Sequence, residues 1–270
     1  MLKDITIGQY FPGNSVVHRL DARFKLLITA IFIIMLFASN TFPGLCIALV
    51  FFLIAFIASG LSPKLMVKSM KPIIPVIIIT SVLNIFFIEG VPLLSIYKFR
   101  ITDNGLRTSG FMIIRLIALI CGSSLLTYTT SPIVLTDAIE QILRPLSKIK
   151  FPAHELAMMM TIALRFIPTL LEETDKIMSA QKARGAELDT GSFTQRAKAL
   201  IPILIPLFVS SFRRAEELAL AMECRCYNGG EGRTKLKTLV SGGKDYLALS
   251  ISLLFLSAVM LIDVGTIGVA

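Results

Sequence analysis

Two tripeptides in the second half of the chain place an arginine between small side chains: Ala183-Arg184-Gly185 and Cys224-Arg225-Cys226. An acidic pair precedes each, Glu172-Glu173 the first and Glu216-Glu217 the second. Small neighbours leave a guanidinium unobstructed, so it can enter a partner's groove and form paired, charge-assisted bonds to carboxylates. The same charge also complements the dipole at a helix C-terminus. A single copy reads as an ordinary capping or snorkelling arginine. Two matched copies read as twin plugs, for two similar partners or for the two halves of a dimer.

The other residues that carry chemistry form no catalytic set. Gly229-Gly230-Glu231-Gly232-Arg233-Thr234 has glycines and a hydroxyl but no phosphate-loop lysine, and Thr238 stands where the first glycine should precede Gly243-Lys244. The chain is therefore expected not to hydrolyse ATP by itself. His154-Glu155-Leu156-Ala157-Met158 opens like a zinc-protease helix, but Met158 takes the place of the second histidine. Cys224 and Cys226 form C-x-C with no histidine nearby, which reads as a reduced pair filling small-residue slots, not a metal site. Only His18 and His154 exist, and neither lies within an apolar run, so the paired glutamates lack the histidine an intramembrane protease would need. The expectation is no enzyme, no bound cofactor and no metal.

The arginine tripeptides end two long helical patterns of similar layout. The first covers about residues 154–183, apolar through Leu156-Ala157-Met158-Met159-Met160, with Pro168 midway and Glu172, Glu173, Asp175, Lys176 and Lys182 in its far half. The second starts at Thr194-Gln195-Arg196, is apolar from Leu200 to Phe212 with Pro202 and Pro206, and then turns to Arg213-Arg214-Ala215-Glu216-Glu217. A polar connection around Asp189-Thr190-Gly191-Ser192 joins them. Helices of this length reach about 45 Å, more than the hydrocarbon core is thick. Crossing as a hairpin would put Lys176, Lys182, Arg184, Arg196 and Lys198 outside the cell, so placement at the cytoplasmic interface is expected.

The rest of the chain belongs to the bilayer. Of 270 residues 54% are hydrophobic and 17% are charged, too apolar for an ordinary soluble domain. The net charge of +9 comes from basic residues interspersed with acids between apolar runs, which fits the positive-inside rule and argues against nucleic acid. Five runs qualify as transmembrane helices: residues 24–38, 43–59, 72–88, 109–130 and 246–262. Nothing before Lys25 reads as a cleaved signal peptide, so the first run is expected to stay in the mature protein. Arg19, Arg23 and Lys25, then Lys64, Lys68 and Lys71, then Arg144, Lys148 and Lys150, and finally Lys235, Lys237 and Lys244 mark cytoplasmic ends. The uncharged link Ser39-Asn40-Thr41 suits the outside. The N-terminus is expected inside and the C-terminus outside. The loop from Glu89 to Arg107 dissents, because it falls outside yet holds Lys98, Arg100 and Arg107. Arg115, within the fourth run, is expected to face protein or water in place of lipid. A self-sufficient secondary transporter is the alternative, but it needs ionisable groups near mid-membrane, and the first four runs hold almost none.

With these residues in place, the chain resembles the transmembrane T component of energy-coupling-factor vitamin and metal importers. The resemblance covers nearly the whole length. It rests on Gly8-Gln9-Tyr10-Phe11-Pro12-Gly13-Asn14-Ser15, on His18-Arg19-Leu20-Asp21-Ala22-Arg23-Phe24-Lys25, on the stretch from Thr129 to Pro145, and on both arginine motifs. Most specific is Met222-Glu223-Cys224-Arg225-Cys226-Tyr227-Asn228-Gly229-Gly230-Glu231-Gly232-Arg233-Thr234, which is similar to the version shared among several substrate-binding subunits.

The resemblance implies an all-α polytopic protein with about five transmembrane helices and long coupling helices at the cytoplasmic interface, forming an L-shaped scaffold. Residues 1–130 would form an N-terminal membrane domain, 131–245 a cytoplasmic coupling domain and 246–270 a last transmembrane helix. Arg184 and Arg225, with Ala183, Gly185, Cys224 and Cys226 beside them, would each dock into one of two ATPase subunits of the A and A′ type, which bind ATP and magnesium. The membrane spans and an apolar surface of the coupling helices would hold interchangeable substrate-binding S components in a bacterial cytoplasmic membrane. One departure stands out: the family's usual motif is Ala-Arg-Gly, and the second copy has cysteine in both small slots. A close approach that needs glycine at position 226 is thereby put in question.

Overall fold

The computed structural model describes residues 10–89, 92–96, 99–145, 152–186, 192–229 and 239–267. The chain is helical almost throughout: α1 (Val16–Arg19), α2 (Ala22–Ala38), α3 (Phe42–Ser59), α4 (Pro63–Met70), α5 (Ile74–Phe87), α6 (Asp103–Thr129), α7 (Pro132–Leu143), α8 (Ala153–Ala183), α9 (Phe193–Glu223) and α10 (Gly243–Ile267). A short antiparallel pair, β1 (Pro92–Ile96) and β2 (Phe99–Thr102), interrupts the series, with Ile96 opposite Phe99. Contacts divide the chain into two units, one of residues 8–138 with 239–270 and one containing 139–238, the boundary falling within α7.

Five helical stretches are long and apolar enough to cross a membrane: Phe42–Ser59, Pro63–Phe87, Asp103–Thr129, Ala153–Ala183 and Gly243–Gly265. The chain is thus a multi-pass membrane protein of the expected all-α class. Two details differ from the sequence expectation. The first apolar run folds as α2, whose 17 residues fall just short of that length, while α8 qualifies although its polar half pointed to the interface. The third span, expected from residue 72, begins earlier as a helical stretch from Pro63, so that Lys64 and Lys68 lie on α4 and Lys71 on a 3-10 turn, Lys71–Ile73, that leads directly into α5. Pro63, Pro72 and Pro75 each fall in a first turn, where a missing N–H breaks no helical bond, so the stretch stays helical.

In the first unit, α10 packs on α2 and α3, and α6 packs on α2, α3, α4 and α5. Phe32, Met35 and Leu36 of α2, Leu45, Ala48 and Phe51 of α3, Ala118 of α6 and Val259 of α10 form its core. Gly122 lets α6 come close to α2, because a Cβ there would overlap the Phe32 ring.

Polar residues fasten the two ends of this bundle. Asp245, at the start of α10, accepts from Asp21 N at 2.9 Å, and Asp263, near its end, accepts from Asn40 N at 2.6 Å and from the Thr41 hydroxyl. The two carboxylates are 18 residues apart, five full turns, so they share one face and span about 27 Å. They bind the start and the end of α2 respectively, and α10 therefore runs parallel to α2. Arg115 donates to Ser39 O and lies 4.7 Å over the Phe111 ring, facing protein as expected.

The N-terminal stretch that carries the resemblance forms a clasp at the start of α2. The His18 ring sits between Ser15 Oγ, 2.7 Å from Nδ1, and Phe11 O, 3.0 Å from Nε2. Asp21 caps α2 by accepting from Arg23 N at 2.9 Å, and it also takes both Arg23 Nε and Nη2. Burial raises the Asp21 carboxyl, but the bonds from Arg23 outweigh it and leave the group below its ordinary value. Lys25 is buried and donates to His18 O and Thr129 O, each at 3.1 Å, and to the Thr130 hydroxyl at 3.3 Å. It thereby satisfies one carbonyl at the C-terminal end of α6 and one in α1.

The second unit holds α8 and α9. Each carries internal proline, Pro168 in α8 and Pro202 with Pro206 in α9, as the sequence layout required. Ser192 N donates to Gln195 Oε1 at 2.9 Å at the start of α9, one half of a capping box. The rest of the connection, residues 187–191, lies outside the described residues. His154, near the start of α8, places Nδ1 3.0 Å from Glu140 Oε1 of α7.

Candidate functional site

The two arginine motifs close their helices in the same way, bond for bond. After α8, Gly185 takes left-handed backbone at φ +85°, its N–H donates to Lys182 O at 3.0 Å, and Ala186 N donates to Gln181 O at 3.0 Å. After α9, Cys226 takes φ +55°, its N–H donates to Glu223 O at 2.8 Å, and Tyr227 N donates to Met222 O at 3.0 Å. These are the two bonds of a Schellman closure, which satisfies carbonyls a helix end otherwise leaves open. In each closure the arginine is the last residue before the chain turns left-handed. The common geometry therefore fixes both arginine backbones at equivalent positions on their helices.

The cysteine at position 226 bears on the departure noted in the sequence. Among the described residues Cys226 is the one non-glycine residue with positive φ. An L-residue pays roughly 1 to 2 kcal/mol for that conformation, yet the closure forms with cysteine as it does with glycine. At Gly185 a Cβ would meet no atom within 4 Å, so conformation alone, and not crowding, favours glycine there.

Ala183, Arg184, Gly185, Cys224, Arg225 and Cys226 are all exposed, and both cysteines are free thiols. Among the described residues neither guanidinium takes part in an ion pair. The two motifs stand apart. Gln181 Nε2 reaches Pro202 O at 3.4 Å and Glu173 Oε2 meets Arg214 Nη2 at 2.6 Å, so α8 and α9 run in opposite directions where they touch. Arg184 consequently lies near the level of Pro202, and Arg225 lies about 35 Å further along α9. Two tips so separated suit two attachments, not one shared pocket.

Sequence reasoning located the six motif residues but not the pair that braces their helices. In the sequence Glu173 and Arg214 stand only as members of an acidic pair and a basic pair, whereas their bond ties α8 to α9 with side chains 22% and 35% exposed. The signal available was the mirrored order of the runs, acids in the far half of one helix and arginines in the far half of the other. Asp245 and Asp263 were missed as well, although carboxylates five turns apart at the two ends of an apolar run mark fastening points. A second surface lies on α9, where Leu204, Ile205, Phe208, Val209 and Phe212 project unburied at helical spacing, Phe212 being 66% exposed. An apolar stripe of this kind marks a contact surface or a lipid-facing one.

The site is thus a pair of identically closed, arginine-bearing helix ends on a multi-pass helical membrane protein. Residues 13–236 match the family described as cobalt transport protein, and the chain belongs to that family. Relatives carry the name energy-coupling factor transporter transmembrane protein EcfT. That of Clostridium kluyveri is 56% identical over 92% of this chain and 93% of its own length. That of Thermosediminibacter oceani is 53% identical over 96% of this chain and 98% of its own. That of Bacillus subtilis is 46% identical over the same shares, 96% and 98%.

Proposed function

We propose that the chain is the non-catalytic transmembrane coupling subunit of an energy-coupling-factor importer in a bacterial cytoplasmic membrane, serving ATP-driven uptake of vitamins or other micronutrients. Arg184 and Arg225 each enter a carboxylate-bearing groove on one of two ATPase subunits, which hold the ATP and magnesium. The observation that carries this reading is the bond-for-bond match of the two helix closures, which presents two guanidinium groups from equivalent backbone positions on separate arms. Closure of the ATPases moves the two helix ends relative to each other, and the unburied stripe on α9 passes that motion to a substrate-binding S component. The Glu173–Arg214 bond keeps the arms from sliding independently.

Charge and the parallel course of α2 and α10 support one orientation. Arg23 and Lys25 at the start of α2 and Lys244 at the start of α10 lie at one end of the bundle, and the positive-inside rule makes that end cytoplasmic. The N-terminus is then inside and the C-terminus outside.

A tag on the full chain is expected to bring down two ATPase subunits, and the joint change Arg184→Glu and Arg225→Glu is expected to release them without altering the thermal unfolding of the membrane unit. A self-sufficient secondary transporter makes the opposite forecast: substrate uptake by this chain alone in liposomes, with no ATPase present. That result would replace the coupling role with the carrier.

A further inference from the structure

The membrane unit contains a cleft that the coupling role leaves unused. It has a volume of about 310 Å³ and lies among α1, α2, α3, α6 and α10. Ile28 of α2 with Phe51 and Ala55 of α3 form its walls, while Val16 of α1 and Leu247 and Ile251 of α10 stand exposed at its mouth. The lining is aliphatic and aromatic apart from Thr29, Thr129 and two lysines, Lys25 and Lys244. Asp21 and Asp245, the acids at this end of the bundle, do not line it, and their carboxylates are engaged by Arg23 and by backbone N–H groups.

The apolar lining suits an acyl chain, and charge selects its head group. Lys25 spends its three N–H groups on His18 O, Thr129 O and the Thr130 hydroxyl, so it offers no donor to a ligand. Lys244 is exposed at the first turn of α10, with its ammonium free for a ligand at the rim. An apolar slot with an exposed lysine at its polar end matches a lipid of negative head group.

We propose that this cleft binds one acyl chain of an anionic phospholipid, whose head group rests against Lys244. The site lies wholly within the membrane unit and does not depend on the coupling role of the arginine tips. It makes the chain sensitive to the anionic lipid content of the leaflet on that side.

Native mass spectrometry of the full chain released from detergent containing equal phosphatidylglycerol and phosphatidylcholine tests the proposal. One phosphatidylglycerol is expected to be retained in preference, and Lys244→Ala is expected to lower that preference about fivefold. Ala248→Leu, which narrows the cleft, is expected to reduce retention of both lipids. If that variant fails to fold, the rim variant still decides. Equal retention of the two lipids, or no effect of Lys244→Ala, would reduce the cleft to ordinary lipid contact and overturn the proposal. A photoreactive side chain at position 251 separates the remaining occupant: cross-linking to lipid supports the site, and cross-linking to a membrane protein partner overturns it.

Discussion

Replacing Gly185 with alanine tests whether the left-handed closure, and not the arginine alone, sets the geometry of the first tip. Gly185 sits at φ +85° and a Cβ there would meet nothing within 4 Å, so the change costs only the conformational preference, about 1 kcal/mol. That energy corresponds to about fivefold in the local opening equilibrium. Amide hydrogen exchange reads it directly, since the N–H groups of Gly185 and Ala186 are the two closure donors. In Gly185→Ala the Ala186 amide is expected to exchange about fivefold faster, with amides in the middle of α8 unchanged. Cys226→Gly removes the same penalty at the second tip and is expected to slow exchange at Tyr227 by a similar factor. Unchanged exchange at both sites, or acceleration spread along the whole of α8, would refute the claim that the closures act as local, equivalent devices.

Other consequences concern the frame behind the tips. Asp263→Ala unfastens Asn40 N and the Thr41 hydroxyl together, and leaving such groups unpaired costs about 1 to 3 kcal/mol, seen as a lowered Tm in detergent. The Asp21 clasp depends on pH. Because its folded value lies below the ordinary one near 3.9, its contribution is fully present above that pH and is lost as the pH falls through the lowered folded value. The Tm deficit of Asp21→Asn is thus expected to be constant from neutrality to about pH 5 and to shrink below about pH 4. A double-mutant cycle of Glu173→Gln and Arg214→Gln should give a coupling of roughly 0.5 to 1 kcal/mol, since both side chains are partly solvated.

Much of this structure was legible because membrane helices advertise themselves by composition. The run at residues 43–59 is found inside α3, that at 109–130 ends one residue past α6, and α8 and α9 begin within a residue of where the sequence placed them. Their prolines did not end them, which the matched apolar and polar layout had already suggested. Three features were not readable, each for a physical reason. The lysines before the third span marked a cytoplasmic end in the sequence, but not that the chain is already helical there, which proline in successive first turns permits. The β1–β2 pair lies in the loop that broke the charge rule, and its backbone pairing leaves no mark in composition. The sixfold motif set was found by residue type, but the equivalence of Gly185 and Cys226 is a property of φ, and cysteine gives no hint that it will adopt a glycine's conformation.

The central claim is that two guanidinium groups on separate helix ends each hold one ATPase. Native mass spectrometry of the assembled complex counts the ATPase subunits bound per chain. The account predicts two for the unaltered chain, a smaller number for Arg184→Glu or Arg225→Glu alone, and none for the two changes together. Two ATPases still bound to the doubly altered chain would contradict it.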